Sequence, residues 1–257
     1  MNQAFDIGRF GRVFYKYTIE HYKSYLMSLV VLVGVLLLGG SFLVYMEGKP
    51  LDKGLQLVMF ISTMLLSGTI FTSTIFSELG EKKKAMPWLL LPATHFEKFL
   101  VAWVYSFLVF IVVYTLSFNL VALLLLNARH FEGEAHGLFY SFNRQILEVY
   151  IAYAFLHGVA FWGAIYFNRM NFIKTAFTFF IFIGVLMFMN RLLLQLMLGR
   201  PVEAAAFFGF TRVINNGQPV DIVLKQGNSG FNIIYLEIAM ALILWTAAYF
   251  NVKEKQV

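Results

Sequence analysis

The sequence predicts an all-α, multi-pass membrane protein, because of its composition and because of how its apolar residues are grouped. Of its 257 residues, 60% are hydrophobic and only 13% are charged, and the mean hydropathy is +0.71. Soluble domains carry about a quarter charged residues, and a soluble protein of this composition would expose a large apolar patch. The apolar residues also fall into six runs, each close to the ~20 residues that a helix needs to cross a bilayer.

Six spans follow from these runs, and the connections between them are too short to form another domain. The chain 1–257 is therefore predicted to be one six-helix transmembrane domain. The fifth span is open to extension at its C-terminal end. The predicted spans are Tyr25–Met46, Leu55–Phe76, Phe99–Leu126, Ile146–Phe167, Phe172–Met189 and Asn232–Phe250.

Residues 1–24 do not read as a cleavable signal peptide, in which a short basic region is followed directly by a short apolar stretch. Between Phe5 and Tyr22, aromatic and aliphatic residues mix with Arg9, Arg12 and Lys16. A basic amphipathic helix of this kind can lie flat among the lipid headgroups. We therefore predict an N-terminal interfacial helix, with a plain extension of the first span as the alternative.

The charges that flank the spans predict that both termini are cytoplasmic. With the N-terminus inside, twelve of the 20 Lys and Arg residues lie on the inner side, which is the bias that the positive-inside rule describes. Acidic residues divide more evenly between the two sides. The inner-side basic residues are Arg9, Arg12, Lys16, Lys23, Lys82, Lys83, Lys84, Lys98, Arg169, Lys174, Lys253 and Lys255.

Residues 190–231 form the longest predicted outer loop, and it contains two features. The apolar piece VEAAAFFGF, from Val202 to Phe210, is too short to span a bilayer. We expect it to be a re-entrant or surface helix before the sixth span. The following NNGQPVDIVLKQGN has Asn-Gly and Gly-Asn turn signals, which favour a small β-hairpin.

No motif for nucleotide hydrolysis or metal-dependent catalysis occurs in the sequence. The patterns G-x-x-x-x-G-K-[ST] and H-E-x-x-H are both missing. Without cysteine, the chain has neither a disulfide nor a thiolate metal ligand. His130 and His136 flank two glutamates, which allows a weak metal site, but a solvated loop is the simpler interpretation. We therefore expect no catalytic residue, no metal and no cofactor in this chain.

Ionisable side chains are scarce inside the predicted spans, where they are costly. His157 lies deep in the fourth span, on the helical face that also holds Tyr150 and Tyr153. The second span contains seven Ser and Thr residues, which allow close packing and hydrogen bonds within a helix bundle. Packing is the main interpretation of both features. A substrate pathway is the alternative, and its predicted residues are Ser67, Thr69, Ser73, Tyr153 and His157.

The stretch 77–98, between the second and third spans, is the largest predicted inner loop and reads SELGEKKKAMPWLLLPATHFEK. Thr94 and Glu97 match the T-x-x-E capping box, so a helix is predicted to start at Thr94 and to continue into the third span. Pro92 ends the segment that precedes it. A short, partly apolar element before Pro92 is therefore displayed on the inner side. The alternative is a lysine anchor beside an interfacial turn.

These features together resemble the ABC-2 type permease family, the membrane-embedded subunits of many bacterial ABC exporters. The segment LLLPATHFEKFL is similar to the second-to-third loop of that family, and especially to permease-like proteins of Bacteroidetes. The resemblance is tight over Glu78–Leu100 and covers the remaining chain in outline. The segment EKKKAMPW departs from the family's more usual Arg-Glu-x-Gly-Thr pattern.

The resemblance implies that the element around Lys82–Leu91 is a coupling helix that docks on a separate ATPase subunit. Two ATPases would bind ATP and Mg, and two permeases, as a homodimer or with a homologue, would move the substrate across the bacterial inner membrane. Membrane lipid is a further implied partner and nucleic acid is not. The residues implied for ATPase coupling are Glu78, Glu81, Lys82, Lys83, Lys84, Trp88, Leu90, Leu91 and Pro92.

Two other function classes remain open. A protein of the same fold could be a non-transporting assembly, regulatory or immunity factor. It could also be a membrane enzyme or an ion-coupled carrier, which the scarcity of charge inside the spans disfavours. Co-purification of an ATPase would separate the exporter subunit from both.

Overall fold

The computed structural model describes residues 5–49, 51–75, 93–128, 138, 144–167, 170–205, 210–215, 218–223 and 229–255. Within them lie six helices that are long and apolar enough to cross a membrane, which confirms the predicted class of multi-pass, helical membrane protein. They are α1 (Ile7–Glu47), α2 (Lys53–Ile75), α3 (His95–Ala128), α4 (Arg144–Tyr166), α5 (Asn171–Leu198) and α6 (Ser229–Lys255).

The N-terminal interfacial helix predicted over 1–24 is not a separate element. Helix α1 runs without a break for 41 residues, a length of about 60 Å at 1.5 Å per residue. No proline lies within it, and its N-terminal third is held by packing rather than left free. Val13 and Tyr17 are buried against Val101 and Tyr105 of α3. The alternative, an extension of the first span, is what the structure shows.

Helix α5 is nine residues longer at its C-terminal end than the predicted fifth span, which stopped at Met189. Arg191 marked the end of the apolar run in the sequence, but its Nε donates a hydrogen bond of 2.9 Å to the carbonyl of Val202. The guanidinium is thereby hydrogen-bonded, and the helix continues to Leu198. It ends at Gly199, which has a φ of 61°, a conformation that glycine adopts without a steric penalty.

Helix α4 lies at the centre of the bundle, with α2, α5 and α6 around it. One core cluster joins α1, α2, α3 and α4 and contains Phe60, Tyr114 and Tyr153. A second joins the start of α3 to α4 and α6 and contains Phe99 and Phe161. The helices approach closely where small residues face large ones, as expected when packing rather than water drives helix association.

The segment before α6 contains a small antiparallel sheet in the order β1 (Val202–Ala205), β2 (Phe210–Asn215), β3 (Gln218–Val223). The predicted re-entrant or surface helix over Val202–Phe210 is wrong for the described part of that piece, because Val202–Ala205 and Phe210 lie in strands. The piece is too short to bury a helical face, and pairing with β2 satisfies the backbone of β1 instead. A hairpin does form at the predicted Asn-Gly position, where the register pairs Asn215 with Gln218. Its first strand, β2, lies before the predicted segment 215–228, and the Gly-Asn signal lies outside the described residues.

An ion pair crosses this hairpin. Arg212 Nε lies 2.7 Å from Asp221 Oδ1, and Arg212 Nη2 lies 3.0 Å from Asp221 Oδ2. The two residues are register partners on β2 and β3. The guanidinium holds the pKa of the Asp221 carboxyl below its usual value. The pair thus helps to fix the strand register.

Candidate functional site

The predicted coupling element lies outside the described residues. This applies to Glu78, Glu81, Lys82, Lys83, Lys84, Trp88, Leu90, Leu91 and Pro92. The described chain resumes at Ala93, and what can be examined is how the chain continues from that element into the bundle.

Helix α3 starts with the capping box that the sequence predicts. The backbone N–H of Glu97 donates to Thr94 Oγ1 at 3.2 Å, and the backbone N–H of Thr94 donates to Glu97 Oε2 at 2.9 Å. Thr94 has extended φ and ψ angles, as an N-cap residue should. The cap satisfies two of the backbone donors that a helix start leaves unpaired.

The Glu97 carboxylate also holds the start of α1. It accepts hydrogen bonds from Arg9 Nε at 2.8 and 2.9 Å, from Arg9 Nη2 at 2.8 Å and from the backbone N–H of Asp6 at 3.0 Å. The Glu97 side chain is 0% exposed and that of Arg9 is 19% exposed. We call Asp6, Arg9, Thr94 and Glu97 the Glu97 junction.

Asp6 completes the junction from the other side. Its Oδ1 accepts the backbone N–H of Arg9 at 2.9 Å, so Asp6 is the N-cap of α1. This hydrogen bond is the main reason that the pKa of the Asp6 carboxyl is lowered. The Asp6 carboxylate thus caps the start of α1, and the Glu97 carboxylate takes part in the cap of α3. Arg9 and the backbone N–H of Asp6 join the two helix starts by their hydrogen bonds to Glu97.

Deeper in the bundle, α3 contains a π-helical segment, Val104–Val109. Segments of this kind are rare and are often found at functional sites. At its centre, the Ser106 hydroxyl donates to the carbonyl of Ala102 at 2.8 Å, and the Ser106 carbonyl accepts a hydrogen bond from Tyr153 at 3.2 Å. The Ser106 oxygen also lies 2.8 Å from His157 Nε2.

Trp245 of α6 fixes the state of His157. Its indole N–H donates to His157 Nδ1 at 3.0 Å. Because an indole nitrogen can only donate, Nδ1 must be unprotonated. The imidazole is then neutral, and its proton is on Nε2, directed at the Ser106 oxygen. We call Ser106, Tyr153, His157 and Trp245 the Ser106 network, and it joins α3, α4 and α6.

This network supports the packing interpretation of His157. The side chain is fully buried, and both ring nitrogens are occupied by groups of the protein. No ring nitrogen is left for a substrate or for a proton relay in this conformation. Tyr153 is likewise buried, and its hydroxyl is bonded to the backbone of the π-helical segment.

The hydroxyl residues of α2 are bonded within their own helix. Thr63, Ser67, Thr72 and Ser73 each donate to the carbonyl four residues earlier, at 2.6 to 2.8 Å. Ser62 and Thr69 make the same kind of bond, and Thr74 donates to the carbonyl of Phe71, three residues earlier. In addition, Thr63 lies 2.6 Å from the Tyr114 hydroxyl of α3. These hydroxyl groups therefore satisfy their donors mainly inside α2.

A groove of about 470 Å³ runs between α1, α2 and α3. Of the five predicted pathway residues, Ser67 lines it, whereas Thr69, Ser73, Tyr153 and His157 are not among its lining residues. Tyr153 and His157 instead belong to the Ser106 network, and a substrate pathway stays a prediction. The lining residues are Tyr25, Met27, Ser28, Leu29, Val31, Leu32, Val35, Thr63, Leu66, Ser67, Ile70, Phe71, Thr74, Tyr105, Val109, Phe110 and Val113.

Among the described residues, no group of three or more His, Asp or Glu side chains is arranged to hold a metal ion. The pair His130 and His136, predicted on the outer side, lies outside those residues.

Sequence reasoning missed Arg9, Ser106 and Trp245. Arg9 is 88 residues from Glu97, and only its position among interfacial basic residues was visible. Ser106 had no signal in the run VYSFLV. Trp245 could have been found as a donor-only side chain inside a span, because a buried indole N–H needs an acceptor.

The chain matches no protein-family model, no curated protein and no solved structure.

Proposed function

We propose that this protein is the membrane-embedded permease subunit of an exporter of the ABC-2 type, working with a separate ATPase. The observation that carries the proposal is the Glu97 junction. It joins the chain that leaves the predicted coupling element to the first turns of two long helices, α3 and α1.

A displacement of residues 77–92 would be transmitted to both α3 and α1. It would reach α3 through the chain itself, because Ala93 and Thr94 lead directly into the capped first turn. It would reach α1 through the Arg9–Glu97 pair. Parting two charges when one is buried leaves an uncompensated charge, which is strongly unfavourable. The two helix starts are therefore expected to move together.

The Ser106 network extends this connection into the bundle. Helix α3 carries the Glu97 junction at one end and Ser106 about two and a half turns further on, nine residues later in the chain. From Ser106, hydrogen bonds continue to His157 of α4 and to Trp245 of α6. A force on the predicted coupling element would thus act on α1, α3, α4 and α6 together. A permease whose helices move as one body during transport requires such a connection.

The test is to purify the chain from its native membranes through an affinity tag and to measure ATP hydrolysis in the preparation. We expect an ATPase subunit to co-purify. Replacing Lys82, Lys83 and Lys84 together by Glu should remove it. The control is the double change Lys253→Glu and Lys255→Glu, which alters basic residues on the same predicted side of the membrane and should leave the complex intact.

A second variant separates binding from coupling. Glu97→Gln removes the charge that holds Arg9. The sequence of residues 77–92 stays unchanged in this variant. The ATPase should still co-purify, and substrate-linked stimulation of ATP hydrolysis should fall. A native preparation without any ATPase, or a lysine triple variant that retains it in full, would contradict the proposal.

A further inference from the structure

The groove between α1, α2 and α3 opens to the side of the bundle rather than into it. Several of its lining residues are half or more exposed, including Val31 at 56%, Val35 at 54% and Leu66 at 61%. These residues lie in helices that cross the membrane. The open side therefore faces the lipid hydrocarbon.

Four of the hydroxyl groups that line the groove are already bonded within the protein. Thr63, Ser67 and Thr74 donate to carbonyls of α2. The Tyr105 hydroxyl is bonded to the Thr18 hydroxyl of α1. Because these hydroxyls have partners, the groove offers little to a polar ligand, and its Val, Leu, Ile and Phe side chains favour an apolar chain.

The groove has the length of one leaflet. Along α1 it extends from Tyr25 to Val35, and along α2 from Thr63 to Thr74. At 1.5 Å per residue these segments measure about 15 Å, which is half of a hydrocarbon core of about 30 Å. Its volume of about 470 Å³ is within the range of small-molecule sites.

One end of the groove is marked as the membrane surface. Tyr25 and Tyr105 line that end, and tyrosines are enriched at the headgroup level. Lys23 lies one helical turn before the lining residue Met27, and is therefore on the same face of α1. Lys23 is exposed, and its Nζ lies 5.9 Å from the centroid of the Tyr22 ring. The ion pairs among the described residues do not include Lys23. Nearby, Lys16 is paired with Glu20 at 3.6 Å.

We propose that this groove is a binding site for one acyl chain of an anionic membrane lipid whose headgroup contacts Lys23. The apolar wall, the length of one leaflet and the exposed positive charge at one end fit this single class of occupant. The lipid site does not depend on an ATPase partner, and it lies in the leaflet that contains the N-terminal end of α1.

The test reconstitutes the full chain in vesicles that contain phosphatidylglycerol with a photoactivatable group in its acyl chain. After illumination, labelled peptides are mapped by mass spectrometry. Labelling should concentrate on residues 25–35, 63–74 and 105–113. The internal reference is the exposed face of α5, which includes Phe177 and Phe180 and does not line the groove. Equal labelling of that face would overturn the proposal.

Two matched pairs of variants sharpen the test. Val35→Trp places a large ring in the groove, whereas Leu38→Trp places it on an exposed part of α1 outside the groove. We expect labelling to fall about tenfold in the first only, which corresponds to roughly 1.4 kcal/mol of binding free energy.

The second pair tests the headgroup. Lys23→Gln should reduce the preference for phosphatidylglycerol over phosphatidylcholine about fivefold, whereas Lys49→Gln, just beyond the other end of α1, should not. If the groove is labelled but Lys23→Gln leaves the preference unchanged, the anionic part of the proposal is wrong. If Val35→Trp labels as strongly as the unmodified chain, the site itself is wrong.

Discussion

The indole nitrogen of Trp245 donates a hydrogen bond of 3.0 Å to Nδ1 of His157, and so connects α6 to the centre of the bundle. We expect Trp245→Phe to keep most of the ring packing and to leave the Nδ1 acceptor without a donor. A buried acceptor left unpaired costs about 1–2 kcal/mol. Unfolding of the detergent-solubilised protein should show this loss of stability.

The matched control for this change is Trp162→Phe. Trp162 stacks on Tyr166 at a centroid distance of 5.0 Å, and its indole nitrogen has no hydrogen bond with any of the described side chains. Its replacement should have a smaller effect. Equal losses in the two variants would show that the indole N–H of Trp245 contributes nothing beyond its ring.

The Glu97 junction predicts a difference between two glutamates. Glu97→Gln should lower the midpoint of thermal unfolding clearly more than Glu20→Gln. Glu97 is fully buried and holds Arg9, whereas Glu20 is 48% exposed in its pair with Lys16, and such surface pairs contribute little. A double-mutant cycle with Arg9→Gln would measure the coupling. Two equal shifts, with no coupling, would mean that the junction is not energetically significant.

Gly68 predicts a steric effect. A Cβ atom there would lie 2.8 Å from Phe110 Cε1 and 2.7 Å from the Tyr153 hydroxyl. Gly68→Ala should therefore destabilise the fold by about 1–3 kcal/mol, as overpacking does. At Gly39, no atom lies within 4 Å of the added Cβ. Gly39→Ala should be neutral or slightly stabilising, because alanine favours helix over glycine. Unfolding of the two variants side by side checks this difference.

The predicted orientation can be tested with single cysteines, because the chain has none of its own. Lys16→Cys and Lys253→Cys should resist a membrane-impermeant maleimide in intact cells and react after permeabilisation. Gln218→Cys, on the exposed strand β3, should react in both conditions. The reverse pattern would place the termini outside and would contradict the positive-inside interpretation.

Local sequence signals were sufficient for much of this architecture. Runs of apolar residues gave the six spans, the spacing of Thr94 and Glu97 gave the start of α3, and the Asn-Gly dipeptide gave the β2–β3 hairpin. Each of these depends on residues within one or two turns, where backbone geometry and hydrogen bonding are set by near neighbours.

Long-range contacts decided the remaining features. Helix α1 continues through its N-terminal third because Tyr17 and Val13 pack on α3, and β1 is a strand because β2 pairs with it. The Arg9–Glu97 pair joins residues 88 positions apart. No pattern within a short window of sequence contains such information, so the junction and the Ser106 network required the folded structure.

The hydroxyl groups of α2 have a consequence for how the protein enters the membrane. A hydroxyl moved into hydrocarbon without a partner costs about 2–7 kcal/mol. In α2, each of the seven Ser and Thr side chains donates to a carbonyl of its own helix. These donors are satisfied as soon as the helix has formed. Helix α2 can therefore partition into lipid during synthesis, before α3 and α4 have been made.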